Sequence, residues 1–202
     1  MNVITDLLKK KLEKSVSREQ AEEAIKTLLA WVGENPKREG LLETPKRVIK
    51  AFEEYFSGYL IDPYKELEKT FSDVQGYDDM VIQKNISIFS HCEHHMAPII
   101  GIAHVAYVPH KKIVGLSKLA RVVEGYSRRL QTQERLTMEI ANTVFNGLEA
   151  HGSAVSIDAV HHCMTSRGIK KHEATTVTNF FTGVFRESHS LQNRFLNLIK
   201  NK

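Results

Sequence analysis

The sequence predicts an α+β fold in which an antiparallel sheet is backed by two helices and preceded by a helical N-terminal segment. Apolar residues alternate with polar ones in two early stretches and again in two late ones, which is the pattern of half-buried strands. The stretch between these pairs shows helical spacing instead. The resulting order, ββααββ, indicates an α+β domain. The first 60 residues show helical spacing alone.

The N-terminal stretch is predicted to form two helices. The run from Ser17 to Gln20 matches a capping box, after which apolar residues recur at helical spacing until Gly33. Thr44 is the expected N-cap of the second helix, because Pro45 then takes the first helical position. The apolar stripe of that helix stops near Gly58. Both helices are interpreted as packing elements.

These patterns divide the chain in two. Residues 1–60 are assigned to an N-terminal helical segment, and residues 61–202 to the main, catalytic domain with its C-terminal helix. Residues 62–79 lack a clear period and are expected to form a loose connector.

The elements of the main domain follow from local composition. Four strands are expected where β-branched and aromatic residues alternate with polar ones, at residues 82–88, 100–108, 155–159 and 175–181. Two helices are expected between the second and third strands, one over residues 117–130 and one over residues 136–148. Residues 91–98 are then a loop between two strands.

The composition is that of an ordinary globular protein, with 202 residues of which 42% are hydrophobic and 26% charged. The net charge of +4 favours an anionic ligand but is too small to indicate a nucleic-acid binder. No stretch approaches the length of a membrane span and residues 1–6 do not resemble a leader, so a cytoplasmic location is expected. With only Cys92 and Cys163, a disulfide framework is not expected there.

Two short stretches concentrate the metal-binding residue types. His91-Cys92-Glu93-His94-His95 and His161-His162-Cys163 hold five of the ten histidines and both cysteines. Zinc prefers thiolate sulfur and imidazole nitrogen, and three protein ligands with an open fourth position are typical of a catalytic site. The expected set is Cys92, one histidine of the His94-His95 pair, and Cys163. The alternative is a buried strand thiol beside a solvated histidine loop.

A catalytic zinc site indicates hydrolysis. A bound zinc ion lowers the pKa of its water to about 7, so that hydroxide is available at neutral pH. Attack on an electron-poor carbon is the expected reaction class. Histidines that are not ligands remain to move protons, because their ordinary pKa is about 6.5.

Several segments together resemble the zinc-dependent GTP cyclohydrolase I family. They are Cys92-Glu93-His94-His95, Gly115-Leu116-Ser117-Lys118, Gln133-Glu134-Arg135-Leu136-Thr137, and His161-His162-Cys163-Met164 with Arg167-Gly168. Residues 36–41 and 44–48 match as well. The segments occur in the family's order and approximate spacing, and the resemblance runs from about Ser17 to the C-terminal helix.

The resemblance implies a fold, a metal site and a reaction. The fold is the tunnelling fold. Cys92, His95 and Cys163 are implied as ligands of one Zn²⁺ per subunit, with His94 and His161 as acid/base groups. In the implied reaction the guanine ring of GTP is attacked at C8, formate leaves, the ribose rearranges, and ring closure gives 7,8-dihydroneopterin triphosphate without a redox cofactor.

The resemblance also implies the groups that bind GTP. Glu134, with Gln133 beside it, is expected at the guanine edge, where a carboxylate accepts from N–H donors. The implied triphosphate set consists of Ser117, Lys118, Arg121, Arg167 and Arg47. Ser117 is in addition a candidate N-cap, whose helix start offers free N–H groups. Without the resemblance, Glu134 would be interpreted as a solvated charge, and Lys118 and Arg121 as the exposed face of a helix.

Family members form decamers of two stacked pentamers with active sites between subunits, so the same homo-oligomer is expected here, with neither a nucleic-acid nor a membrane partner. Two other functions account for part of the pattern. A structural zinc module that binds nucleic acid or protein would need paired cysteine knuckles, which the sequence lacks. A metal-free reductase with a cysteine nucleophile leaves His95 and Cys163 beside Cys92 unexplained.

Overall fold

The computed structural model describes residues 16–71 and 76–200. The α-helices are α1 (Arg18–Trp31), α2 (Thr44–Tyr55), α3 (Leu116–Ser127), α4 (Gln133–Gly147), α5 (His162–Thr165), α6 (Val184–Glu187) and α7 (His189–Lys200). The strands are β1 (Thr70–Phe71), β2 (Val81–Cys92), β3 (Pro98–Val108), β4 (Ile113–Val114), β5 (Leu130–Gln131), β6 (Gly152–His161) and β7 (Thr176–Phe181). The expectations for residues 1–15, 72–75 and 201–202 lie outside the described residues.

The main sheet has five strands in the order β5-β2-β3-β6-β7. Its long pairs, β2 with β3, β3 with β6 and β6 with β7, are all antiparallel. With α3 and α4 inserted between β3 and β6, the chain order confirms the predicted ββααββ arrangement and the α+β class. The short β5, which runs parallel to the end of β2, was not predicted.

The two faces of the sheet differ in burial. On one face α3 and α4 pack over Ile88, Val105 and Ile157, all fully buried, as expected from the period-2 pattern. On the other face of the same strands, Phe89 and Ile100 lie opposite each other and are 52% and 41% exposed. One apolar face of the sheet is therefore covered within the chain and part of the other is not.

The first two long strands are joined by a tighter turn than predicted. The expected loop over residues 91–98 is shorter, because β2 continues to Cys92 and β3 begins at Pro98. The backbone N–H of Cys92 donates to the carbonyl of Ala97 at 2.8 Å, and Met96, with φ of 53°, donates back to the Cys92 carbonyl at 2.9 Å. Cys92 is thus fixed on a strand while the residues after it form the turn.

The N-terminal segment has the two predicted helices. In α1 the capping box is confirmed, since Ser17 accepts from the backbone of Gln20 and the Gln20 side chain accepts from Ser17. The predicted N-cap of α2 was wrong by one residue: Thr44 is already helical and Glu43 precedes it as the cap residue. No residue of α1 is buried, and Trp31 is 81% exposed.

The predicted N-cap of α3 was also wrong, and no cap was predicted for α4. Ser117 is not the N-cap of α3, because Gly115 takes that position with extended backbone and Ser117 lies in the first turn. The cap of α4 is Thr132, whose side chain accepts from the backbone N–H of Arg135 at 3.3 Å. A cap is decided by one residue's backbone angles, which periodicity does not report.

The described parts of the connector, residues 62–71 and 76–79, hold more regular structure than predicted. They include a 3₁₀ turn at Lys65–Leu67 and the strand β1, which pairs antiparallel with β4. Leu67 is 1% exposed and joins the main core. Ahead of it, the backbone N–H of Gly58 donates to the carbonyl of Arg128 at 3.0 Å. These contacts link the N-terminal segment to the sheet, and the division at residue 60 stays a prediction.

The C-terminal helix α7 closes the far end of the sheet. Phe195 is fully buried against Phe185, with ring centroids 6.3 Å apart, in a second apolar cluster that also contains Met80. Among the described residues, none of the helices combines the length and apolarity that crossing a membrane requires.

Candidate metal centre

The structure gathers Cys92, His95 and Cys163, whose candidate ligand atoms all lie within 4.8 Å of one another. Cys92 ends β2, His95 lies in the turn to β3, and Cys163 lies in α5 directly after β6. Because β2 and β6 pair with opposite sides of β3, the last residues of β2 and of β6 both lie beside the start of β3. Strand pairing alone therefore brings the two distant clusters together.

The donor set fits zinc. Two thiols and one imidazole are the ligands that zinc prefers, and three of them leave one coordination position for water. Of the two histidines left open by residue-level reasoning, the structure brings His95 to the thiols, while the His94 side chain is 69% exposed. His95 Nδ1 lies 3.8 Å from Cys92 Sγ.

Burial makes the Cys163 thiol costly to ionise without a cation. Burial raises the pKa of Cys163, and the neighbouring Cys92 raises it further, while Arg167 lowers it slightly. A bound divalent cation reverses this balance, because it stabilises thiolate directly. The electrostatics of Cys163 therefore match a metal ligand.

Arg167 reaches into the same cluster. Its Nη1 lies 3.0 Å from His95 Nε2, so the guanidinium donates and the ring nitrogen accepts. A histidine that binds a metal through one ring nitrogen carries its proton on the other. The Arg167 contact and metal binding by His95 thus exclude each other, and a bound metal leaves the Arg167 guanidinium without this partner.

His161, at the end of β6, is held by Gln133. His161 Nε2 lies 2.7 Å from Gln133 Oε1, and the Gln133 amide nitrogen donates to the carbonyls of Ile157 and Thr176 and to Thr178 Oγ1. Since those three acceptors fix the amide nitrogen, the oxygen must face His161 and accept from its Nε2–H. Nδ1 then carries the lone pair of the neutral ring.

The same contacts place Gln133 differently from its implied role at the guanine edge. Its side chain is 1% exposed and its amide oxygen and nitrogen are both used inside the protein. Burial lowers the pKa of His161, although the charge of Glu134 acts in the opposite direction. His161 is therefore neutral at pH 7 and able to accept a proton.

Glu134 lies on the exposed side of the helix start, next to the buried Gln133. It lines a groove of about 530 Å³ whose other walls come from α4 and β7, namely Thr132, Arg135, Thr137, Met138, Thr178, Asn179 and Phe180. Its carboxylate acts on the pKa of His161, so the groove and the histidine are neighbours. This placement fits a group that meets a ligand's N–H edge.

The implied triphosphate residues are not all brought to the cluster. Lys118 and Arg121 on α3 pair with Glu66, at 2.9 and 3.5 Å. Within residues 16–71 and 76–200, no hydrogen bond or ion pair joins these two cations, Ser117 or Arg47 to the cluster of Cys92, His95 and Cys163. Among the described residues, Arg167 is the one member of that set with a hydrogen bond to a cluster residue.

A set of hydrogen bonds from Arg135 holds the turn between β2 and β3, and the sequence did not predict it. Arg135 donates to Glu93 Oε2 at 2.7 Å and to the carbonyl of Leu130 at 2.8 Å, and its Nε donates to Gln131 Oε1 at 3.0 Å. The backbone N–H of Glu93 donates to the Gln131 carbonyl. The start of α4 therefore holds the turn that carries His94 and His95. No spacing rule signals a pair separated by 42 residues.

Comparison with known proteins adds an independent finding. Residues 21–200 match the family model described as GTP cyclohydrolase I. The chain is 64% identical to GTP cyclohydrolase 1 of Pelagibacter ubique, over 98% of this chain and 99% of that protein. It is 57% identical to GTP cyclohydrolase 1 of Maricaulis maris, over 91% of this chain and 90% of that protein. A solved archaeosine synthase QueF-Like structure, at 15% identity and a TM-score of 0.43 over 52% of this chain and 93% of that one, is too distant to carry an argument.

Proposed function

The chain belongs to the GTP cyclohydrolase I family, and on this premise we propose that it opens the imidazole ring of GTP by hydrolysis, releases formate and forms 7,8-dihydroneopterin triphosphate. The observation that carries the proposal is the gathering of Cys92, His95 and Cys163 at the end of the central strands, where β6 ends in His161. The alternative function, a zinc module that binds nucleic acid, has no comparable structural observation in its favour. The metal-free reductase reading fails on family membership.

Cys92, His95 and Cys163 are proposed to hold one Zn²⁺ per subunit. When bound, zinc supplies hydroxide at neutral pH by lowering the pKa of its water. The protein's part is to hold the three donors at the ends of β2 and β6, the two strands that flank β3, and to fix the turn through Arg135 and Glu93. In the reducing cytoplasm, where we place the protein, both thiols remain available as ligands.

His161 and His94 are proposed to move protons during ring opening. His161 is neutral at pH 7, and its Nδ1 makes no hydrogen bond within the described part of the chain, so it is available to take a proton from water or substrate. Gln133 acts on this step only through His161, as a positioning residue. His94 is exposed beside His95, where it can exchange protons with solvent.

GTP is proposed to bind with its guanine edge at Glu134 and its triphosphate on Ser117, Lys118, Arg121 and Arg167, with Arg47 as an outer contact. Because α3 does not bring Lys118 to the cluster of its own chain, the cations are supplied from a neighbouring copy. A homodecamer of two pentamers meets this need. The uncovered apolar face at Phe89 and Ile100 and the exposed Trp31 of α1 support burial between copies.

The decisive test of the proposed function is turnover of GTP by the zinc-loaded protein. Formate and the pterin chromophore should appear in equal amounts, and a chelator should abolish both until zinc is restored. The net charge of +4 is too small to indicate a nucleic-acid binder, so added DNA or RNA should leave turnover unchanged. Formation of the chromophore without formate would contradict the proposed reaction.

Replacing Arg167 by Ala should raise KM for GTP about 10-fold to 100-fold, because a charge-assisted hydrogen bond contributes about 1.5 to 3 kcal/mol. Inhibition by guanosine, which lacks phosphates, should change little. Zinc content should not fall, since the Arg167 contact with His95 is incompatible with metal binding. Equal losses for GTP and guanosine would contradict the phosphate role. Metal analysis and steady-state kinetics provide the measurement.

A site shared between copies predicts complementation. The variant His161→Ala and the double variant Lys118→Gln/Arg121→Gln should each be nearly inactive, because they damage opposite halves of the site. After mixing 1:1 and exchange of subunits, about one site in four has both halves intact, so activity should recover to about a quarter of the wild-type value. The absence of recovery after exchange has been verified by mass spectrometry of tagged subunits would contradict the shared site.

A further inference from the structure

Glu66 occupies the cations that the proposed function assigns to the triphosphate. Its Oε2 lies 2.9 Å from Lys118 Nζ and 3.5 Å from Arg121 Nη1. One carboxylate oxygen therefore bridges two cations that lie one turn apart on α3. A phosphate oxygen bound to the same pair would need the same position.

The pair between Glu66 and Lys118 is more than a loose surface contact. Both side chains are about three-quarters buried, with 25% and 24% of their area exposed. The hydrogen bond from Lys118 is the largest cause that lowers the pKa of Glu66, and Arg121 lowers it further. Glu66 is thus ionised at neutral pH and carries the charge that a competing anion would have to replace.

The backbone holds Glu66 at this place. It lies in the 3₁₀ turn Lys65–Leu67, whose last residue, Leu67, is 1% exposed in the core. A Cβ added to Gly147 would lie 2.8 Å from Leu67 Cδ1, so α4 and this turn pack closely. Because the backbone of this turn is fixed, the Glu66 carboxylate can approach or leave the two cations only by rotation of its side chain.

We propose that Glu66 is an internal competitor for the triphosphate group: it covers Lys118 and Arg121 in the free site, rotates away when GTP binds, and returns as the product leaves. The inference rests on the proposed function, because it needs these two cations to bind phosphate. The product keeps the triphosphate of the substrate. Competition from Glu66 therefore weakens the binding of both and favours product release.

Removal of the negative charge of Glu66 should tighten the binding of phosphate groups. In the zinc-loaded protein, Glu66→Gln should lower the dissociation constant of inorganic tripolyphosphate about threefold to tenfold, the range of a partly exposed ion pair. KM for GTP should fall in parallel, and inhibition by guanosine should not change. Glu68→Gln is the matched control, since the exposed Glu68 lies one residue beyond the same turn and makes no ion pair among the described residues.

The outcomes separate this inference from the proposed function. If Glu66→Gln leaves tripolyphosphate binding unchanged, or weakens it because Glu66 orders the two cations for the ligand, the inference is wrong. If Lys118→Gln also fails to weaken tripolyphosphate binding, the cations are not the phosphate site, and the proposed substrate contacts are wrong as well. Calorimetry with tripolyphosphate measures binding by both variants and does not depend on turnover of GTP.

Discussion

Replacing Cys163 by Ala should remove most of the zinc from the protein and abolish GTP turnover. Cys163 supplies one of the three proposed donors, and a site reduced to Cys92 and His95 loses both affinity and geometry for the ion. The Cys163 side chain is only partly buried, so the smaller alanine should leave the fold in place. Metal analysis of the purified variant beside the formate assay gives the measurement.

The matched control for this loss is His94→Ala. His94 lies in the same turn but outside the group of candidate ligands, so this variant should keep nearly one zinc per subunit. Its rate should still fall on the order of 10²-fold to 10⁴-fold, the usual loss for a missing acid/base group. Full zinc and full activity in Cys163→Ala would overturn the metal centre. Zinc loss in His94→Ala with zinc kept in His95→Ala would reverse the two assignments.

The fold could be predicted because its information is local. Alternation in β2 and β3 records which residues face the helices, and the ββααββ order followed from such patterns alone. The caps at Thr44 and Ser117 were predicted wrongly because the actual cap residues, Glu43 and Gly115, make no side-chain cap hydrogen bond that a residue type could signal. The strand β1 was missed because two residues are too few to show a period.

Some features of the candidate site could likewise be predicted from the local sequence, and others could not. The residue types of Cys92 and Cys163 indicated a metal, and strand pairing then brought them together, although their roles stay predictions. Contacts between residues far apart in sequence carry no local signal. The bridge from Glu66 to Lys118 spans 52 residues, and the hydrogen bond from Arg135 to Glu93 spans 42. Only the packed structure shows such pairs.

Gln133 shows how burial can change an expected role. The family resemblance implied that Gln133 lies beside Glu134 at the guanine edge, where its side chain would meet the ligand. The position instead faces the sheet, where the carbonyls of Ile157 and Thr176 take the amide nitrogen. The remaining oxygen is directed at His161. A substitution here should therefore affect catalysis through that histidine and not through GTP affinity.

Replacing Gln133 by Met should lower kcat about 10-fold to 100-fold while KM for GTP and zinc content stay near their wild-type values. Methionine matches the length of glutamine but cannot accept from His161 Nε2–H, so the ring loses its fixed tautomer and a buried donor loses its partner. Thr178→Val is the control, because it removes one acceptor of the amide nitrogen and leaves the contact with His161 intact.

The pH dependence of Gln133→Glu distinguishes positioning of His161 from a merely structural role. A glutamate here keeps an oxygen that accepts from the same Nε2–H, so part of the rate should return, although its second oxygen faces the carbonyls of Ile157 and Thr176 without a proton to donate when ionised. In its ionised form the glutamate favours the charged ring and raises the pKa of His161. In the wild-type protein burial keeps that pKa below its ordinary value of about 6.5. Since His161 acts as a base in its neutral form, the acid limb of the kcat profile should move to higher pH by about one unit or more. An unmoved acid limb in a variant that is folded and zinc-loaded would show that Gln133 does not act through His161.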